Sequence, residues 1–219
     1  MRDLPSLARF CWTTALAVVW TAVPVSASAT SDGRIDAQER QQILDLLRDS
    51  ESGFLALLAG VSDAQWSWKP SPDRWSVGEC AEHIVRSNEA LLAAAKQALA
   101  GEMNPEWEAK TKGKTEILLS VMPNRNPGGA GGARAPQEIR PTGGLSRREL
   151  VERFAALYAE ARSLVGESDA PWKAHTAPHP FPIFDPLSAY QWALYVPLHT
   201  TRHSKQMIEV METEGYPEN

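Results

Sequence analysis

Gln191-Trp-Ala-Leu-Tyr-Val-Pro-Leu-His-Thr-Thr-Arg-His-Ser-Lys-Gln206 decides the reading of this chain. Trp192, Val196, His199 and His203, with Met207 and Val210 just beyond, recur at steps of three and four. That is the period of a helix with one buried face. His199 and His203 are four residues apart, so both imidazoles leave the apolar face one turn from each other. Two stacked imidazoles in a core are costly unless both ring nitrogens find partners. A metal ion would satisfy them, and so would packing as core or interface histidines with hydrogen-bond partners.

Working outward, three more helices carry start signals. Asp36 and Glu39 make a capping-box-like start for a helix bearing Ile43, Leu46, Leu47, Phe54, Leu57 and Leu58. Gly53 weakens this helix without ending it, and Gly60 marks its end. Ser76-Val-Gly-Glu79 opens a second helix that runs to about Ala100, with Gly101 closing it. Its inner stripe is Cys80, Ile84, Leu91 and Ala95, and His83 lies beside that stripe. Ser146-Arg-Arg-Glu149 opens a third, with Leu150, Phe154, Leu157 and Leu164 as apolar positions. For the fourth, Asp185 is the expected N-cap and Pro186 the first helical residue, where a missing N–H costs little. That helix is expected to reach about Glu214 before Gly215-Tyr-Pro217 stops it. No alternating strand pattern of useful length is present.

The connections are long. Gly101 to Leu145 has a Gly/Pro-rich centre, Pro123-Asn-Arg-Asn-Pro-Gly-Gly-Ala-Gly-Gly132, and Gly166 to Phe184 is punctuated by Pro171, Pro178, Pro180 and Pro182. Loops of this length are usually functional or disordered. The first can also span a bundle from end to end, which lets the second and third helices run parallel. Pro197 interrupts the last helix just before His199 and predicts a kink there, one that aims the histidines or merely fits the curvature.

His83 with His199 and His203 makes a candidate triad from two facing helices. Three neutral imidazoles suit Zn, Ni, Fe(II), Co or Cu and leave positions open for water or substrate. Thr200 stands where a His-Glu-x-x-His peptidase needs its base, which excludes that class. His175 and His179 are also four apart, but the prolines around them rule out a helix, and His179 is the better candidate to edge a pocket. Trp66, Trp68 and Trp75 read as an aromatic loop capping the bundle, or as a pocket wall near His83. Glu79 reads as a capping residue and Cys80 as a small hydrophobe. Arg202 and His179 are candidate substrate contacts.

The 219 residues suffice for one domain with a substantial core. The net charge of -5 and the lack of a basic block argue against a nucleic-acid partner. Lys110, Lys112 and Lys114 form a short cluster set among Glu108 and Glu116 and read as a solvated face. The first 29 residues read as a signal peptide: Arg2 and Arg9, an apolar run from Phe10 to Val25, and Ala27-Ser28-Ala29 as the cleavage signature. The competing reading is an uncleaved membrane anchor. Cleavage would remove Cys11 and leave Cys80, so no intramolecular disulfide is possible. An exported chain is therefore expected, periplasmic or secreted, meeting the membrane only through the signal peptide, with residues 30–219 as its domain.

Trp75-Ser-Val-Gly-Glu-Cys-Ala-Glu-His83 resembles the segment that opens the second helix of DinB-like proteins, and Gln191–Gln206 resembles their last helix. Ala135-Pro-Gln-Glu-Ile-Arg-Pro141 and His179-Pro180 resemble loops of the same superfamily. The resemblance implies an all-α four-helix bundle with crossed, up-down-down-up connectivity and long loops. It implies a divalent metal (Zn, Ni or Fe(II)) held by His83, His199 and His203. It also implies a small-molecule substrate, since members include thiol-dependent transferases and isomerases and metal-dependent hydrolases. A related domain holds the iron of sulfoxide synthases. The expected function is a metal-dependent hydrolase or thiol-dependent transferase; the alternative is a non-catalytic metal- or ligand-binding bundle, as a possible homodimer. Export sets the thiol reading apart, because cytosolic thiol cofactors are scarce outside the membrane.

Overall fold

The computed structural model describes residues 32–124 and 135–218. The expected signal segment and most of Pro123–Gly132 lie outside the described residues. What is described is all-α apart from one short ribbon. In chain order the helices are α1 (Ala37–Leu58), α2 (Asp63–Ser67), α3 (Val77–Ala100), α4 (Trp107–Thr111), α5 (Lys114–Val121), α6 (Arg147–Glu167) and α7 (Ala189–Met211). The ribbon pairs β1 (Thr176–Ala177) with β2 (Leu187–Ser188) antiparallel, Thr176 opposite Ser188.

The expected capping boxes form. Asp36 with Glu39, Ser76 with Glu79 and Ser146 with Glu149 each exchange side-chain and backbone bonds at the starts of α1, α3 and α6. Each such cap stabilises its helix by about 1 kcal/mol. Two further boxes, Ser62 with Gln65 and Ser188 with Gln191, start α2 and α7.

The second of these corrects the sequence reading. Asp185 does not cap the last helix and Pro186 is not its first residue; the peptide joining them is cis, and the next two residues form β2. Asp185 instead accepts the backbone N–H of His179 at 2.8 Å. Ser188 is the better cap because Gln191 sits three residues on and returns a bond to the Ser188 N–H. The helix ends at Met211, short of Glu214. The connection after Gly101 is also not structureless. It holds α4 and α5, and α5 packs on α7 with Leu118 fully buried. Gln191 Nε2 donates to the Thr111 carbonyl at 3.0 Å and the Thr115 hydroxyl at 3.2 Å, tying this segment to the start of α7.

The four long helices enclose one core. Phe54 of α1 meets Phe154 of α6 with ring centroids 4.3 Å apart, and Arg40 bonds the Val165 carbonyl further along. Between α3 and α6, Arg153 grips Glu89 at 2.8 and 2.7 Å, and Lys96 meets Glu160 at 2.5 Å. Between α3 and α7, His83 faces His203 and Asn88 bonds Thr200. Helix α1 also packs along α7. Within the core, Thr200 Oγ1 accepts from Asn88 Nδ2 at 2.6 Å and from the Tyr158 hydroxyl at 2.7 Å, and Tyr158 lies 3.1 Å from Ser50 Oγ. One buried polar chain therefore links all four long helices.

Helix α7 continues through Pro197. On the turn that follows, Thr200 and Thr201 return their hydroxyls to the carbonyls of Val196 and Pro197, at 3.2 and 3.0 Å. Such back-bonding bends helices, and here it follows directly on the proline.

Candidate metal centre

His83 comes from the second turn of α3, and His199 and His203 come from consecutive turns of α7. Their exposures are 3%, 8% and 8%. Ring centroids lie 4.4 Å apart for His83 and His203, 4.4 Å for His199 and His203, and 5.2 Å for His83 and His199. One ligating nitrogen from each falls within 4.8 Å of the others. Trp75 closes one side, its ring 4.7 Å from His83 and 6.4 Å from His203. Tyr195 closes another, edge-on to His199 at 6.2 Å.

Two of the rings are oriented from behind. His83 Nδ1 lies 2.9 Å from the Ile139 carbonyl, which can only accept, so the proton sits on Nδ1 and Nε2 carries the lone pair. His203 Nδ1 lies 2.8 Å from Gln206 Oε1, with the same consequence. Such outer acceptors set ring orientation and raise ligand basicity at metal sites. His199 differs: its Nδ1 is sealed in the interior and has no hydrogen-bond partner among the described residues. An unpartnered buried nitrogen is costly, and a ligand would relieve that cost.

Electrostatics keeps His83 and His199 neutral. Burial pushes His199 well below the ordinary imidazole value of 6.5, and His203, His83 and Arg202 push the same way. Burial also lowers His83, against the opposing bond to Ile139. Neutral imidazole is the form that binds metals.

The remaining sequence candidates separate clearly. Glu79 is the capping residue of α3 and pairs with Lys69 at 3.0 Å. Cys80 is fully buried on the inner stripe. Of Trp66, Trp68 and Trp75, it is Trp75 that faces the triad. Trp66 packs against Gly78 and under the Arg147 guanidinium, and Trp68 meets Tyr216 edge-on. His175 lies outside the triad and pairs its backbone with Met103. His179 is also outside it, in an aromatic cluster with Phe181, Phe184, Trp192 and Tyr195, where its Nδ1 accepts the Phe181 N–H at 3.0 Å. Arg202 bonds the Asn124 carbonyl, close enough to the site to influence His199 and Tyr195.

Sequence reasoning missed the Ile139 carbonyl, the orienting role of Gln206 and the buried Glu82. The His203-x-x-Gln206 spacing is readable on a helix face. A backbone carbonyl from a loop leaves no mark in the sequence. Glu82 is 3% exposed and bonded to Thr142 and Gly143. Burial alone would raise its pKa; the bonds from Thr142 and Gly143 outweigh that and hold the carboxyl below its ordinary range.

The sequence model described as the DinB superfamily matches residues 46–207, a span that contains all three histidines. An uncharacterized protein of Bacillus subtilis (strain 168), YuaE, is 28% identical over 160 residues, covering 71% of this chain and 88% of its own length. No solved structure gives a significant match.

Proposed function

The chain belongs to the DinB superfamily, and we propose from that premise that it is a metal-dependent enzyme acting on a small molecule. His83, His199 and His203 are its ligands in this reading. The supporting observation is the triad itself: three buried imidazoles within 4.8 Å, two of them aimed by acceptors behind the ring. Zn, Ni and Fe(II) all suit three neutral nitrogens. A divalent ion held there would lower the pKa of a water or thiol and so supply a nucleophile near neutral pH.

The chain's own residues divide the remaining work. Ile139 and Gln206 hold the rings of His83 and His203. Trp75 and Tyr195 shield the site and present apolar faces to an entering molecule. Arg202 brings positive charge to the rim. Thr200 is committed to the core through Asn88 and Tyr158, so it takes no part in proton transfer. Hydrolysis or thiol transfer is the reaction class we infer. The test is a screen of ester, amide and thiol-transfer substrates on metal-loaded protein. Turnover by the wild type that vanishes in His199→Ala supports the reading; equal rates in the two contradict it.

A second reading is a metal- or ligand-binding bundle without turnover, self-associating as a dimer. One observation favours it: both carboxylates near His83 in sequence, Glu79 and Glu82, are committed to capping and loop bonds. Metal uptake with no turnover in the screen selects this reading.

For the architecture we infer a four-helix bundle with up-down-down-up connectivity. Contacts climb α3 and α6 together, from Glu89–Arg153 to Lys96–Glu160. They run oppositely along α1 and α6, from Arg40–Val165 to Phe54–Phe154. They also oppose along α3 and α7, from His83–His203 to Asn88–Thr200. We further propose that the chain works outside the cytoplasm, on the strength of its n-region, apolar run and cleavage signature.

A further inference from the structure

We propose that Glu82 is a positioning residue of this centre: its carboxylate clamps the Thr142–Gly143 turn so that the Ile139 carbonyl meets His83. The inference rests on the reading of His83 as a ligand. Glu82 is the residue before His83 on α3, so its side chain leaves the helix about 100° away and does not share the ligand face.

Three of its four bonds come from one loop, and the fourth comes from Arg86 one turn along α3. Oε1 accepts from the Thr142 N–H at 3.1 Å, the Thr142 hydroxyl at 2.9 Å and Arg86 Nε at 2.9 Å. Oε2 accepts from the Gly143 N–H at 2.7 Å. Arg86 Nη2 closes the cluster by donating to Thr142 Oγ1 at 2.9 Å. Gly143 is left-handed (φ 70°), a conformation in which glycine is unstrained and can turn its N–H toward the carboxylate. A carboxylate 4% exposed is costly unless paired in this way. Only Arg140 and Pro141 separate the clamped turn from Ile139. Pro141 has a fixed φ, which leaves little slack. On its other side the loop is held by the turn Gln137–Ile139 and by Arg140 Nε donating to the Ala135 carbonyl at 2.7 Å.

The clamp matters because of Ser87. Its hydroxyl lies 3.3 Å from His83 Nδ1 and 3.4 Å from Nε2. A hydroxyl both donates and accepts, so it selects neither tautomer. A carbonyl only accepts, so Ile139 forces the proton onto Nδ1 and keeps Nε2 for a metal. With the clamp released, Ser87 is the neighbour that remains and both tautomers become available.

The experiment compares wild type, Glu82→Gln and Thr142→Val. Nitrogen-15 NMR reads the His83 tautomer in metal-free protein, and chelator competition reads affinity for Co(II), the probe metal. Wild type should show one tautomer, with the proton on Nδ1. Glu82→Gln should show a mixture and lose Co(II) affinity by roughly 10–100-fold, the usual effect of removing an outer-shell partner. Thr142→Val should move both readouts the same way by less. An unchanged tautomer in folded Glu82→Gln overturns the proposal, and so does a mixture with Co(II) affinity within twofold of wild type. If Glu82→Gln does not fold, Thr142→Val decides by the same two criteria. If wild type binds no Co(II), the metal reading fails on its own, and the tautomer still decides whether the clamp acts.

Discussion

His83 donates its Nδ1 proton to the Ile139 carbonyl across 2.9 Å, although 56 residues separate the two in the chain. A loop between α5 and α6 thus orients a side chain on α3, and the two α7 histidines complete the cluster. The arrangement is held by the bundle core beneath it, where Thr200 joins Asn88 and Tyr158.

Thr200→Val should destabilise the protein far more than Thr201→Val. Thr200 is fully buried and accepts from two donors, Asn88 and Tyr158. Each buried donor left unpaired costs about 1–3 kcal/mol, so urea unfolding should report a loss of roughly 2–6 kcal/mol. Thr201 is half-buried and returns one bond to its own helix, so its loss should stay within about 0.5 kcal/mol, as for surface changes. Equal losses would mean that the polar chain does not tie the helices together.

Acid should weaken the metal-free protein in a defined window. His83, His179 and His199 all have folded pKa values lowered by burial from 6.5. Below pH 6.5 the unfolded chain therefore binds protons that the folded chain refuses. Stability from these groups is fully present above that pH and is lost as pH falls through the folded values. The melting temperature should be flat from pH 7 to 8 and drop below about 6.5. His199→Leu should reduce the drop; an identical pH profile in that variant contradicts the assignment.

At the alkaline end, Tyr195 is pushed up to about 12 by burial, and Tyr158, Tyr190 and Tyr216 are also raised. Raised folded values favour the neutral phenol, so this stability is present below 10.0 and is lost as pH rises beyond it. Folded protein should therefore show little phenolate absorbance at pH 10. Half-maximal absorbance at that pH in folded protein would show the rings to be solvated.

Expression with export should give a mature chain starting at Thr30, which intact-mass measurement reads directly. A retained Met1 in the membrane fraction selects the anchor instead.

The legible parts of this protein are those written in local spacing. Asp36, Ser76 and Ser146 announce three long helices because a capping box needs only residues three apart, and the α7 stripe announces its buried face. His83 could be set beside the α7 pair as a candidate because it lies near the inner stripe of another helix, and family likeness added the weight, since nothing local links residues 116 positions apart. The start of α7 was misread because Asp185-Pro186 matches a helix start by composition, while Ser188 and Gln191 match it by geometry. Helices α4 and α5 were missed because five and eight residues carry too little periodicity to read. Ile139 was invisible because a backbone carbonyl has no residue code.

Elemental analysis of untagged residues 30–219 tests the central claim most directly, with wild type beside His83→Ala and His199→Ala. The account predicts close to one Zn, Ni or Fe per chain in wild type, or after incubation with these ions. It predicts a melting temperature that rises with occupancy, and loss of both effects in each variant. Wild type that stays metal-free in all three ions, or variants that retain the metal, would contradict it.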